Sequence, residues 1–436
     1  MRLALALLVS LGVVPAYANA LTFSGTLDGR PIIAELTEPS DGAVAGRFAF
    51  ADTGSDVPLT PVSHEGGLWV LNEEAPCEEG ECVTGDDGLV ADVPLAAVWE
   101  LTYDADNFVA SGIRRTLGAK PKEVPVWLEV VAWRELVEGE EASASALHER
   151  SGSTYHDKAL PIDWPTMPYE MLLLDGPTEA SEVQEMAGGA AQYRYLTDPR
   201  TKFAFPRAVS FAGGEPIDNV NEILRTQHYR LSLSALNCLA LRYAAYGANE
   251  YTHGGTLDDF DSEEITLTFL SPRVVSWTQG GSLWCGGAHP YNHYDTYNID
   301  VTTGDELPLQ KVFSAWVPRE WGAAPDAIAD AEAAAANPEN FSWGPNADLL
   351  AYVRENLPAE LLYDDEPELN EACYSDEALT QYLNIRFEAP LNAVFTTSGF
   401  PHVISVCGGD LFTVPLTDLW DFLGPDASDY FPELGG

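Results

Sequence analysis

Positive charge is scarce in this chain: 22 Lys and Arg face 68 Asp and Glu, and only five of the cations are Lys, at positions 120, 122, 158, 202 and 311. The formal charge of −46 repels phosphate backbones and anionic lipid headgroups, which argues against nucleic-acid binding. Such a field attracts basic partners or divalent cations, and it also keeps a protein in solution without any partner. Long apolar runs are missing too. Beyond the N-terminus, nothing approaches the roughly 18 apolar residues of a membrane helix. There is no C-x-x-C pair, so thioredoxin-like redox chemistry has no support. The nearest approach to a G-x-S-x-G elbow, Gly280-Gly281-Ser282-Leu283-Trp284, lacks its last glycine. No repeat of fixed period is present.

What is there begins with an export signal. Arg2 supplies the positive end, residues 3–14 an apolar stretch, and Ala18-Asn19-Ala20 the small-x-small triplet of a cleavage site. Residues 1–20 are therefore expected to be removed. No cysteine stands directly after that point to carry a lipid. The expected location is periplasmic or secreted, and the mature chain is long enough for two or three domains. The six cysteines form an even set, which in an exported chain favours disulfides over metal ligation. They allow about 15 pairings. The preferred one joins Cys77 to Cys82 across an acidic loop, Cys238 to Cys285, and Cys373 to Cys407.

The pattern along the chain predicts an α+β protein with an N-terminal all-β barrel or sandwich. Residues 21–135 form the β domain. Its first hairpin turns at Asp28-Gly29, and Trp69, Trp99 and Trp127 are its expected core. Residues 136–165 are polar, then proline-rich, and read as a linker, whose polar part is a loop or a short connecting helix. Residues 166–436 form an α+β domain. It has a long helix from about 216 to 246 with Asp218 at its start, strands near 264–277 and 297–301, and helices at 325–336, 346–356 and 376–382. Strands near 385–395, 403–406 and 411–414 follow, with a terminal helix from Leu416.

Within the second domain, Gly286-Gly287-Ala288-His289-Pro290 precedes Tyr297-Asn298-Ile299-Asp300, Thr303-Gly304, Leu307-Pro308-Leu309 and Val312-Phe313. This succession resembles a bacterial exported domain family of unknown function, typified by the ectodomain of the RsiV lysozyme-sensing anti-sigma factor. The family also occurs beside a peptidoglycan deacetylase. The likeness is specific over about 35 residues and looser elsewhere, although Phe412-Thr413-Val414-Pro415-Leu416 resembles the family's closing strand. The N-terminal part is similar to a β-barrel-like domain found beside this module. The chain departs from the family in having no membrane helix, no sigma-binding segment and no deacetylase residues. The resemblance implies a binding module, with an envelope protein such as a basic lysozyme, or a cell-wall glycan, as its partner.

The residues that bear chemistry admit more than one reading. Binding through Trp284, His289, Tyr291, His293 and Tyr294 suits aromatics that stack on sugars or anchor an interface. The same aromatics also suit core packing. His289, His293 and Asp295 form an H-x-x-x-H-x-D string that would share one face of a strand, the alternative being a metal site in a peptidoglycan hydrolase. Pro290 opposes the helix that an H-x-x-x-H site ordinarily uses. A histidine bonded within its own loop is the simpler account of His289. The acids of Asp258-Asp-Phe-Asp-Ser-Glu-Glu264 lack calcium-loop spacing and read as a solvated loop. The expectation is a binding protein with no catalytic residues and no cofactor; a structural envelope protein is the third reading.

Overall fold

The computed structural model describes residues 19–38, 43–77, 82–86, 88–136, 141–249, 263–285, 290–324, 326–363 and 365–435. Eight antiparallel strands close into a barrel in sequential order. They are β1 (Asn19–Leu27), β2 (Arg30–Thr37), β3 (Gly46–Phe50), β4 (Val57–Glu65), β5 (Leu68–Glu74), β6 (Leu95–Asp104), β7 (Val109–Thr116) and β8 (Glu123–Glu135). Closure pairs β8 with β1, so no strand edge is left for another chain to extend. The first turn is the expected Asp28-Gly29, both with positive φ, as a tight two-residue hairpin requires.

Alternation decides what fills the barrel. Phe23, Phe48, Trp69, Trp99, Leu101 and Leu128 point inward and are buried. Trp127 was expected among them, but it is exposed, because Val124, Val126 and Leu128 take the inward positions of β8 and leave 127 outside. The strand β1 also begins at Asn19, two residues before the expected cleavage point. Asn19 Nδ2 donates to Glu38 Oε2 at 2.6 Å, and Ala20 is buried against Leu136 and Leu147.

The stretch read as a linker contains a helix, α1 (Ala144–His156), capped by Ser143, whose hydroxyl accepts from the Ala146 amide. A second helix, α2 (Pro168–Leu174), follows. Both lie on the barrel wall, where the outward side chains of β2 and β3 are charged. There the Arg47 guanidinium is wholly buried. It bonds Glu35 at 2.8 and 3.0 Å, Asp56 at 3.0 Å, Ser151 at 2.7 Å and Glu170, and lies 4.1 Å above the Tyr169 ring. Arg134 bonds the other oxygen of Glu35 at 2.9 Å, while Tyr169 donates to Asp56 at 2.6 Å. Burial opposes the charge on Arg47, yet Glu170, Glu35 and Asp56 together raise its pKa well above the ordinary value. The compact unit containing the barrel runs to Asp175 and resumes at Ala240. The resumed segment is held by the Arg242 carbonyl, which accepts from the Cys77 amide at 2.8 Å, and by Glu74, which accepts from the Ala245 amide at 3.1 Å.

The other unit covers Gly176–Leu239 and the chain from residue 263 on. It is mostly strands with several helices around them. The short β9 (Glu179–Ala180) and β10 (Gln184–Glu185) flank β11 (Ala191–Thr197), which pairs with β12 (Ala204–Phe211). The helix α3 (Asp218–Ala240) then leads to a three-stranded sheet of β13 (Glu264–Leu270), β14 (Val274–Leu283) and β15 (Tyr291–Asp300). After α4 (Leu309–Val312) come β16 (Trp316–Glu320), α5 (Ala331–Ala336), β17 (Phe341–Pro345), α6 (Ala347–Asn356), α7 (Pro367–Tyr374) and α8 (Asp376–Tyr382). The last sheet is β18 (Leu383–Glu388), β19 (Asn392–Thr397) and β20 (Gly409–Pro415), with α9 (Ala427–Tyr430) near the end. One core of Phe269, Phe313, Leu349, Ile385, Phe395 and Phe431, among others, joins the layers from β13 onward.

Several segments differ from the sequence reading: the strand expected over 264–277 is the hairpin β13–β14, that near 385–395 is the hairpin β18–β19, and the helix expected over 325–336 forms only from Ala331. Residues 403–406, expected as a strand, lie in a 3-10 turn, His402–Cys407, between Pro401 and Gly408. The helix expected from Leu416 is a 3-10 turn as well. The cysteines pair as preferred, Cys77–Cys82, Cys238–Cys285 and Cys373–Cys407. Among the described residues, no helix is long and apolar enough to cross a membrane.

Removing one partner from a buried charge cluster leaves the others unpaired and costs about 3–5 kcal/mol. Arg47→Met is therefore expected to lower the stability of the barrel unit by that amount in urea unfolding. Lys122→Ala, which removes an exposed pair with Asp28, should barely move the midpoint. Equal effects of the two would refute the structural role given to Arg47.

Candidate functional site

The strands β13, β14 and β15 bring together most of the residues singled out in the sequence. Gly280 and Gly281, which resembled a nucleophile elbow, lie in mid-strand on β14. Gly280 faces Tyr294 and Gly281 faces His293 on β15. Glu264 pairs with Gly280 on the other side, and Glu263 is the residue before it. With no side chain at Gly281, Glu263 reaches the histidine directly: His293 Nε2 donates to Glu263 Oε1 at 3.1 Å, and both side chains are almost wholly buried. Glu263 was read as part of a solvated acidic loop. It is a buried carboxylate, while residues 258–262 of that cluster lie outside the described residues.

Tyr291 stacks on the His293 ring at 5.1 Å and 11°, and its exposed face completes the end of the strand. Asp295 follows on the same side of β15 and adds negative charge beside His293. Burial works against a protonated His293, but its bond to Glu263 and the charges of Glu263 and Asp295 prevail, so its pKa is raised. Burial also raises Asp295, helped by Glu263 and opposed by His293. Tyr294 points to the opposite side, where its hydroxyl donates to Asp410 Oδ1 at 2.6 Å. Burial and that bond raise its pKa. Arg386 bonds Asp410 at 2.6 Å and Glu388 at 2.8 Å.

The five residues from Tyr291 to Asp295 line a shallow cleft with Gly399, Phe400, Ser405 and Gly408. Trp284 lies between the end of β14 and Cys285, next to the disulfide to α3. His289 and Gly286-Gly287-Ala288 lie outside the described residues, so the hallmark pentapeptide is described only at Pro290. Of the H-x-x-x-H-x-D string, His293 and Asp295 do share one side of a strand. Among the described residues, no three His, Cys, Asp or Glu side chains gather in a metal-binding arrangement.

Sequence reasoning missed Glu263 as a partner, together with Arg386, Asp410 and the whole 399–408 segment. These lie about 30 to 120 positions from β15, and only the sheet register brings them there. The cysteine at 407 was the one available signal, since pairing it with Cys373 predicts a constrained loop. No protein-family profile matches the chain, and no curated protein matches it.

The raised pKa of His293 has a definite sign for stability. The folded state holds the proton more tightly than an unfolded histidine near pH 6.5. The resulting stabilisation is complete below that pH and is lost as pH rises through the folded value. Histidine NMR titration should show His293 above the ordinary range, and Glu263→Gln should bring it down. An identical titration in both proteins would contradict the ion pair.

Proposed function

We infer that the chain is an exported binding protein of the cell envelope, with no catalytic step of its own. Its partner is a basic protein, for which a muramidase is the most concrete candidate. The observation that carries this reading is the state of the chemically able side chains. His293 is engaged by Glu263, Tyr294 by Asp410, and Arg386 by two carboxylates. Groups locked in mutual pairs hold a surface in shape; a general base or nucleophile instead needs a free position facing substrate. The cleft that His293 and Tyr294 line is shallow, which suits a protein contact better than an enclosed substrate.

Export is supported by the signal-like residues 1–20 and by three disulfides, which persist in oxidising compartments. The charge of −46 favours a basic partner through attraction at long range. The resemblance of residues 286–313 to the lysozyme-sensing ectodomain family points the same way.

Calorimetric titration with a basic lysozyme at about 0.15 M and about 0.5 M salt separates a docked interface from diffuse attraction, since the Debye length falls from about 8 Å to roughly 4 Å. A stoichiometric heat is expected at both concentrations. Heat that disappears at the higher one removes the muramidase reading.

A further inference from the structure

The 3-10 turn His402–Cys407 presents apolar carbon to water from a braced base. Val403 is 86% exposed and Val406 59% exposed, and across the cleft Tyr291 is 56% exposed. The turn is tied down by the Cys373–Cys407 disulfide to α7. Thr397 Oγ1 also donates to the Cys407 carbonyl at 2.6 Å, and the Gly408 amide to the Ser405 carbonyl at 3.0 Å. An apolar protrusion that is already ordered loses little freedom on binding.

A cleft lies on each side of this turn. One is the cleft along Tyr291–Asp295; the other runs between the Val406–Leu411 segment and Leu362, Tyr363 and Tyr374. They meet at Gly408. A Cβ there would come within 3.3 Å of the Ser405 carbonyl and 3.8 Å of Tyr294 Cβ, so the turn packs closely against β15 at the residue the two clefts share. The charged groups in the linings are Asp295, Glu360 and Asp410, with His293 as the one group able to carry positive charge. The nearby Arg386 is already held by Glu388 and Asp410.

We propose that this turn and its two clefts form a docking surface for a segment of a basic protein that presents an apolar side chain flanked by Lys or Arg. Charge complementarity selects that occupant: the linings are acidic, the whole chain is acidic, and an anionic lipid surface would be repelled by both. The apolar contact comes from Val403, Val406 and the Tyr291 ring. Buried aromatic and aliphatic anchors supply most of the energy of such interfaces, while rim charges set the rate of encounter. The proposal rests on the binding-protein reading above and gives it a surface.

The test uses the full exported chain with two probes, a basic lysozyme and a labelled peptide of alternating Lys and Leu. The double variant Val403→Ser, Val406→Ser alters only exposed side chains, and Ile328→Ser, about as exposed as Val406, serves as a control elsewhere in the unit. Far-UV circular dichroism checks that each variant folds. Both probes should bind the parent chain, and the double variant should weaken each at least tenfold while the control leaves them unchanged. Glu360→Gln should slow association and flatten its salt dependence. Binding of both probes that is equal in parent and double variant overturns the docking surface and leaves the basic-partner reading intact. Peptide binding lost in the double variant, with no lysozyme binding at all, keeps the surface and removes the muramidase. No binding of either probe to the parent overturns both.

Discussion

A guanidinium taken wholly out of water holds the first unit together. Moving such a charge into a protein interior costs several kcal/mol even after relaxation, and only excellent geometry offsets that cost. Arg47 meets the demand with Glu35 on the barrel, Asp56 before β4, Glu170 on α2, Ser151 on α1 and the face of Tyr169. Ser151 ties α1 and Glu170 ties α2 to the same guanidinium, so both helices are held to that wall through one group. A hydrophobic seam would tolerate sliding, whereas this one specifies a single register. The barrel therefore ends up with helices fixed to an outer wall that is charged rather than greasy.

The second unit uses the same device on a smaller scale, near its surface. Glu263 and His293 meet because the strand between them has a glycine where a side chain would intervene. Tyr294, Asp410 and Arg386 form a companion set on the other side of β15. Between them these contacts fix both sides of the strand and shape the cleft along its end. Two of the ionisable side chains singled out in the sequence, His293 and Tyr294, act here as braces. That pairing is the support for the binding-protein reading proposed above.

Local signals in the chain were legible, and long-range ones were not. Asp28-Gly29 announces its hairpin, Ser375 and Asn346 cap helices that were found within a residue of their expected positions, and alternation marks β13 and β15. Trp127 was misplaced because a tryptophan on a strand looks like core until the inward positions of its neighbours are known. Residues 403–406 carry β-branched side chains but have no partner strand, and Pro401 and the Cys407 disulfide bend them into a turn. The stretch read as a linker holds the helix α1 for a related reason. The segment is polar because its buried face meets Arg47 and Asp56, so polarity there marks a charged interface and not solvent. At the site, His293 and Asp295 were visible as types, but their meaning depended on Glu263, some 30 residues away and hidden within an apparently solvated acidic run.

The same chain thus spends charge in two ways, inward to fix its helices and strands and outward as a field that favours basic partners. Hydrogen–deuterium exchange of the full chain, with and without a basic lysozyme, tests the outward use most directly. The account predicts slowed exchange confined to residues 291–295 and 400–410, with the barrel unchanged. Protection on the barrel instead, or none anywhere at saturating lysozyme, would contradict it.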